Sequence, residues 1–186
     1  LVALDSHDKG NDYLLETEHG PRGGDELNFI RKDKDYGWPF VSFGQQYYVP
    51  SNTDSKVITR YSNHENFEKP IYFWSPSIGI SQITKLEFEV PHSTWSNGDL
   101  LITSLKAHSI FRVKYEYNKF QRFKILSIES LNLSRRIRDI EVLNKSIVCS
   151  TDIGSLLFLK PLNSRTVGQF PPENDLNSHI YKELYK

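Results

Sequence analysis

The sequence predicts an all-β fold built from short antiparallel strands. Short runs rich in β-branched and aromatic residues follow one another along the chain and are separated by turns, and no window keeps a 3.6-residue apolar period. Groups of such runs recur at roughly 40 to 50 residues, the spacing of one four-stranded propeller blade. Because the sequence contains no strict internal repeat, a β-sandwich remains the alternative architecture at this stage.

Each strand is predicted from its own alternation and from the turns beside it. In the stretch 110–117, Phe111, Val113 and Tyr115 alternate with charged residues, which is typical of a strand with one buried and one solvated face. The turn residues Ser, Asn, Gly and Asp at 96–99 separate two such runs. We expect strands at residues 13–18, 27–31, 71–74, 82–89, 100–104, 110–117, 120–130, 137–143, 147–150 and 155–160.

Two segments lack a strand pattern. Residues 45–69 are polar and aromatic, and a stretch of this length is more typical of a functional loop than of a simple connection, so it could overhang a binding site. From Pro161 onward the sequence consists mainly of Asn, Ser, Pro and charged residues. We therefore divide the chain into a β-rich region, residues 1–161, and a polar tail, residues 162–186.

Composition excludes several classes of function. The 186 residues include 23 basic and 23 acidic residues, so no global field attracts nucleic acid or an anionic membrane. The apolar runs are far shorter than the roughly 18 residues of a membrane span. Cys149 is the single cysteine, which rules out an internal disulfide and a thiolate pair, and its apolar surroundings predict a core position. The sequence contains neither methionine nor a signal peptide, so we expect a processed product or a fragment.

A dense turn at residues 19–26 is the most informative local feature. It contains three glycines, a proline, two acids, an arginine and a histidine directly after a predicted strand. Glycine and proline allow main-chain oxygens to be aimed at a ligand instead of pairing in a ladder, and oxygen ligands suit a hard cation such as calcium. An ordinary surface loop with scattered charges is the alternative interpretation of these residues.

Three cationic residues are candidates for binding an anion. Arg136 and Arg138 flank Ile137 at strand spacing, so both guanidinium groups point to one face, and two such groups suit a polycarboxylate. Lys106 follows the predicted strand 100–104. It becomes a stronger candidate for anion binding if its side chain converges with the two arginines on one anion. The alternative is a solvated strand face on which Arg138 pairs with Asp139 or a nearby glutamate.

Other chemistries find no support in the sequence. The six histidines show no spacing typical of a zinc site. The chain has no glycine-rich phosphate loop and no Gly-x-Ser-x-Gly nucleophile turn, and the acids of the 19–26 turn have no obvious partner acid for glycoside hydrolysis. Hydrolase activity is therefore not indicated.

The string TEHGPRGGDELN at residues 17–28, followed by DYGWP at residues 35–39, resembles the signature of the quinoprotein glucose/sorbosone dehydrogenase family. Further similarities occur in the family's order, and together they cover roughly residues 1–161. They lie at residues 70–78, 105–106, 110–112, 136–139 and 150–152.

The resemblance implies a fold and an activity. Members of this family are six-bladed β-propellers that bind pyrroloquinoline quinone (PQQ) and calcium, and they oxidise aldose sugars at the anomeric carbon. The quinone accepts hydride from the sugar, and an external electron acceptor then takes the electrons from the reduced quinone. The resemblance also implies a periplasmic or secreted location.

The resemblance further implies roles for individual residues. Gly20 and Pro21 would give backbone oxygens to the calcium ion. Residues matching cofactor-binding positions of the family are His19, Asp25, Ser77, Lys106, Arg136 and Arg138.

The chain departs from the family pattern in ways that affect activity. The family's general-base histidine lies in an earlier blade, and an Arg-Asn pair lies just before the position matching the start of this chain. We therefore expect a C-terminal half with about three blades, inactive and only marginally stable alone. Residues 79–81 also differ from the Ala-Pro-Ser run of many members. A noncatalytic β-propeller binding module is the alternative function.

Overall fold

A computed structural model describes residues 2–4, 13–45, 60–61, 64–91, 93–118 and 122–161 of the chain. Within these ranges the protein consists of strands, turns and loops and contains no helix, and therefore no helix suited to crossing a membrane. The strands are β1 Val2–Leu4, β2 Tyr13–Glu18, β3 Asp25–Ile30, β4 Val41–Ser42, β5 Arg60–Tyr61, β6 Tyr72–Trp74, β7 Ile80–Lys85, β8 Leu100–Ser104, β9 Ser109–Asn118, β10 Arg122–Asn132, β11 Ile137–Leu143, β12 Ser146–Thr151 and β13 Leu156–Leu159.

The strands form three antiparallel sheets. The first sheet has the order β1-β2-β3-β6, the second β7-β8-β9-β10 and the third β11-β12-β13. A small parallel pair joins β4 to β5. Two face-to-face sheets would make a sandwich, whereas this chain stacks three, so the sandwich alternative is wrong for the described residues.

All ten predicted strands are present, and the bounds of β2, β8 and β11 match the prediction. The short strands β1, β4 and β5 were not predicted. Strand β5 falls inside the predicted loop 45–69, most of which lies outside the described residues, as does the tail 162–186. The strand predicted at 82–89 instead begins at Ile80 and ends at Lys85.

Strand β8 of the second sheet is buried on both faces. Leu100 and Ile102 pack with residues of the first sheet, and Leu101 packs with residues of the third. All three side chains are fully buried. A strand that lies between two cores is expected to have a nearly continuous apolar sequence, and β8 begins with LLIT. Cys149 is buried in the core between the second and third sheets, which confirms its predicted position.

The solvated face predicted for β9 is wrong at Arg112. This side chain is only 1% exposed, because the face that carries it is covered by the segment containing Thr94 and Trp95. Arg112 donates to the carbonyl oxygen of Thr94 and to the carboxylates of Asp99 and Glu129. The strand alternates as predicted, but both of its faces are covered at this position.

Strand β7 lies beside the first strands of the other two sheets. It contacts β1 and β2 on one side and β11 on the other. The three sheets therefore meet along their first strands, and the loops at one end of this meeting line form the site described next.

Candidate functional site

A cavity of about 770 Å³ opens where loops of all three sheets converge. Its walls come from the turn after β2, the segment after β4, the segment after β6, the turn after β8 and the start of β11. The lining residues are His19, Pro21, Arg22, Gly23, Phe43, Gln45, Ser75, Pro76, Ser77, Gly79, Leu105, Lys106 and Arg136.

The turn at residues 19–24 is fixed by close backbone packing. A Cβ on Gly20 would come within 3.0 Å of the carbonyl oxygens of Gly23 and Gly24. Gly24 has a φ of +71° and packs against the backbone of Gly44, so a side chain there would be strained and would also clash. Reciprocal backbone hydrogen bonds of 2.9 Å join this turn to residue 45. The glycines therefore allow a compact turn rather than a flexible one.

Asp25 lies behind this turn and joins it to two other segments. Its carboxylate is fully buried and accepts hydrogen bonds from the Gly20 amide at 3.0 Å and the Ile80 amide at 3.1 Å. The Ser77 hydroxyl lies 2.8 Å from both carboxylate oxygens. His19 Nδ1 lies 3.7 Å from Oδ1 of Asp25. Asp25 thus touches cavity-lining segments without being a lining residue itself.

Lys106 is placed next to the Ser77 segment by backbone hydrogen bonds. The Lys106 amide donates to the carbonyl of Ile78 at 2.9 Å, and the Leu105 amide donates to the carbonyl of Gly79 at 2.7 Å. Gly79 has a φ of +66°, and a Cβ there would meet the Lys106 amide nitrogen at 2.9 Å. The close approach of the two turns therefore requires glycine at this position.

Arg136 and Arg138 do not share one environment. Arg136 lines the cavity, and its Nε lies 2.7 Å from Oδ2 of Asp152 in the turn after β12. Arg138 is exposed and is not a lining residue. The register of β11 against β12 shifts between Ile137 and Asp139, so the simple alternation that predicted one common face is interrupted between the two arginines.

The cavity brings together most of the residues predicted from the sequence. His19, Pro21, Ser77, Lys106 and Arg136 line it. Gly20 lines a smaller neighbouring cavity, Asp25 lies buried behind the turn, and Arg138 lies outside. Arg22 lines the cavity and was not singled out by the sequence reasoning. The sequence contains a signal for it, since Arg22 is the only lysine or arginine in the 19–26 turn.

An acidic group lies behind the same turn. Burial, with a smaller contribution from the nearby Glu18 carboxylate, raises the pKa of Glu26 to about 7, against the opposing hydrogen bonds from Asn28 and the Phe43 backbone. Burial, followed by repulsion from Glu16, also raises the pKa of Glu18. Glu26 Oε1 lies 3.6 Å from Nε2 of the buried His64.

Comparison with known proteins assigns the chain to a family. The sequence profile of glucose/sorbosone dehydrogenase matches residues 3–156. The chain belongs to the glucose/sorbosone dehydrogenase family. The loops that form the cavity all lie within the matched region of this family.

Two curated relatives share part of the sequence. An uncharacterized protein of Synechocystis, slr1608, is 32% identical over 135 residues, which is 73% of this chain and 30% of that protein. The aldose sugar dehydrogenase YliI of Escherichia coli is 35% identical over 70 residues, which is 37% of this chain and 17% of that protein. The chain spans less than a third of the length of these relatives.

Solved structures of the family share the fold. A glucose dehydrogenase crystal structure superposes with a TM-score of 0.65 at 27% identity, covering 82% of this chain and 42% of that one. The soluble aldose sugar dehydrogenase of Escherichia coli in its apo form gives a TM-score of 0.60 at 26% identity, covering 81% and 42%.

Proposed function

We propose that this chain forms part of a PQQ-dependent dehydrogenase that oxidises aldose sugars at the anomeric carbon with the help of calcium. The observation that carries the proposal is the convergence of Pro21, Ser77, Lys106 and Arg136 on one cavity. These residues come from four segments that are far apart in the sequence. A shared acidic ligand accounts for the meeting of a glycine-lined turn with the cations Lys106 and Arg136 at one cavity.

The cavity fits the cofactor in size and charge. Its volume of about 770 Å³ lies within the range of small-molecule sites. PQQ is flat and carries three carboxylates, and the lining offers three basic side chains, those of Arg22, Lys106 and Arg136. When bound, the quinone supplies a hydride acceptor, and calcium polarises its reacting carbonyl.

Main-chain carbonyl oxygens would be the protein ligands of the calcium ion. Within the described ranges, no cluster of three or more His, Cys, Asp or Glu side chains could hold a metal ion. The turn that contains Gly20 and Pro21 is held rigid by glycine contacts, which suits a site built from carbonyl groups. We assign the calcium-binding carbonyls to these two residues.

The remaining residues bind and orient the cofactor. Lys106 and Arg136 neutralise its acidic groups, and Asp152 holds the guanidinium of Arg136 in place. Ser77 and His19 would contact the cofactor from the lining, whereas Arg138, which lies outside the lining, would add only longer-range positive charge. The protein's contribution is therefore positioning and charge compensation rather than covalent chemistry.

We further propose that the fold is a six-bladed β-propeller, of which residues 1–161 supply about three blades. The meeting of three sheets along their first strands supports this architecture, since propeller blades pack around a common axis in this way. A periplasmic or secreted location and an external electron acceptor belong to the same proposal.

The general base would come from outside the described residues. His19 is the only histidine among the residues that line the cavity, and its imidazole lies next to Asp25 at the turn. We propose that the base is a histidine of an earlier blade and that the chain alone is inactive. The same observation favours a second candidate, a noncatalytic propeller module that keeps the pocket without redox chemistry.

Dye reduction by the full-length gene product tests the proposal. The protein is loaded with CaCl₂ and PQQ and assayed with an artificial electron acceptor and a panel of aldoses. We expect sugar-dependent dye reduction that disappears when PQQ is omitted. Tight calcium-dependent PQQ binding without turnover on any sugar would favour the noncatalytic module, and absence of PQQ binding would contradict both candidates.

A further inference from the structure

We propose that Asp25 is a positioning residue that sets the calcium-binding turn and the Ser77 segment at a fixed separation, and that it does not itself contact the quinone. The inference rests on the proposed function, because it assigns Asp25 a role toward the same site. It changes the role expected from the sequence, in which Asp25 was a direct cofactor ligand.

The contacts of Asp25 support this role. Its side chain is fully buried, whereas the cavity is open to a ligand. Both oxygens are already engaged, Oδ1 by the Gly20 amide and Oδ2 by the Ile80 amide, and the Ser77 hydroxyl lies 2.8 Å from each. A carboxylate surrounded by three donors has little capacity left for a cofactor.

The donors come from two separate parts of the fold, the turn after β2 and the continuous stretch 77–80 that leads into β7. Gly20 belongs to the turn after β2, Ser77 to the segment before β7, and Ile80 to β7 itself. Asp25 starts β3, so one buried side chain links the first sheet to the second at the edge of the cavity. Because hydrogen bonds to a buried carboxylate are stronger than neutral ones, this link is a stiff one.

The link acts on the two groups that are proposed to meet the cofactor and its metal. The Gly20 amide is held by Asp25, which fixes the plane of the peptide next to the proposed calcium-binding carbonyls. The Ser77 hydroxyl is held by the same carboxylate and also accepts a hydrogen bond from the Gly79 amide at 3.1 Å. Losing the carboxylate would therefore release both sides of the site together.

Hydrogen exchange in the cofactor-free, full-length protein gives the first test. In Asp25→Asn, one oxygen is replaced by an NH₂ group that faces a donor, so we expect at least one of the Gly20 and Ile80 amides to exchange at least about tenfold faster than in wild type. The matched control is Asp99→Asn, another buried aspartate, which lies outside the cavity lining. It should leave these two amides unchanged. Unchanged exchange in Asp25→Asn would overturn the proposal.

A double-mutant cycle on calcium-dependent PQQ binding gives the second test. We expect Asp25→Asn to weaken binding by about tenfold or more and Ser77→Ala to weaken it less. If Asp25 acts through Ser77 and the turn, the double variant should bind no more weakly than Asp25→Asn alone. Fully additive losses would show that the two residues contact the ligand independently and would overturn the positioning role.

The outcomes separate this inference from the proposed function. If wild type binds no PQQ, the proposed function fails and the inference fails with it. If wild type binds PQQ and Asp25→Asn binds equally well, only the inference is overturned. Asp25→Glu serves as a conservative variant, and partial recovery of PQQ affinity relative to Asp25→Asn is the expected result.

Discussion

Gly20 shows how a single residue shapes the site. Its position leaves no room for a side chain, because the carbonyls of Gly23 and Gly24 lie where a Cβ would be. We expect Gly20→Ala to push these carbonyls apart and to weaken calcium-dependent PQQ binding by at least about tenfold, measured by titration of the full-length protein. Gly98→Ala is the control for backbone strain alone, since Gly98 has a φ of +98° but a Cβ there meets nothing within 4 Å, and it lies outside the cavity lining; it should lower stability without weakening PQQ binding. Equal binding by wild type and Gly20→Ala would contradict the rigid turn.

Glu26 gives a pH dependence whose sign follows from its surroundings. Burial raises its pKa from 4.5 to about 7 in the folded protein. Between these values the folded state keeps a proton that the unfolded state has lost, so the Glu26 contribution to stability is full below pH 4.5 and is lost as pH rises toward 7. Glu18 adds to the raised pKa, and His64 is the facing base.

We therefore expect Glu26→Gln to gain stability relative to wild type as pH rises from 5 to 7.5. The measurement is the melting temperature in chelator-containing buffer at several pH values, which keeps cations from binding the acidic group. Glu87→Gln, an exposed acid on the same chain, is the control and should show a constant difference from wild type. A Glu26→Gln difference that does not change with pH would contradict the raised pKa.

At the residue scale, the position of Lys106 was predictable from the sequence, whereas those of Arg138 and Asp25 were not. Lys106 was predicted because it follows a strand whose pattern is clear, and the structure holds it there through the Ile78 carbonyl. Arg138 was expected beside Arg136 on one face. The register shift after Ile137 depends on pairing with β12, so the local alternation of residues could not predict it. The burial of Asp25 likewise depends on donors up to 55 residues away.

At the scale of elements, β9 carries a buried ion pair that joins several segments. Arg112 Nη1 lies 3.2 Å from Asp99 and its Nη2 lies 2.7 Å from Glu129, which is partly exposed. We expect Arg112→Met to lower the free energy of unfolding by about 3 to 5 kcal/mol, because Asp99 then remains buried without its partner. Chemical denaturation of the full-length protein measures the change.

A double variant that also changes Asp99 tests whether the buried charge causes the loss of stability. If the cost comes from the uncompensated charge, adding Asp99→Asn to Arg112→Met should recover part of the lost stability. The exposed Arg135→Met is the matched control and should change stability by less than about 0.5 kcal/mol. No recovery in the double variant would show that packing on Trp95, rather than charge, is what Arg112 provides.

Strand positions were predicted well where alternation is local and poorly where pairing is distant. Strand β7 ends at Lys85 rather than at 89, because beyond it the pairing with β8 gives way to bonds with the turn before β8, Leu86 N to the Asp99 carbonyl and Gly98 N to the Leu86 carbonyl. The pair β4 and β5 has two residues in each strand, too few to show a period, and exists through a parallel contact across the chain.

At the scale of the whole molecule, the outward face of β13, the last strand of the third sheet, is apolar and exposed. Leu156 and Phe158 are 59% and 56% exposed, and both lie on the face of β13 opposite the core. In a propeller this face would pack against another blade. We expect the pair Leu156→Ser and Phe158→Ser to reduce self-association of the isolated chain and to destabilise the full-length product.

Analytical ultracentrifugation of the isolated chain and thermal melting of the full-length product measure the two effects. Leu157 alternates with these residues and is buried, so Leu157→Ser is the control that should destabilise both proteins. If the paired serine variant leaves the melting temperature of the full-length product unchanged, the face is not covered there and the six-bladed architecture loses its support.

Equilibrium binding of PQQ to the full-length gene product, with calcium and with chelator, tests the central claim that separate cations meet one acidic quinone. We predict calcium-dependent binding that Lys106→Met and Arg136→Met each weaken by about tenfold or more, while Arg135→Met, adjacent in sequence but outside the cavity lining, binds like wild type. Binding that is absent, or that is insensitive to both Lys106→Met and Arg136→Met, would contradict the account.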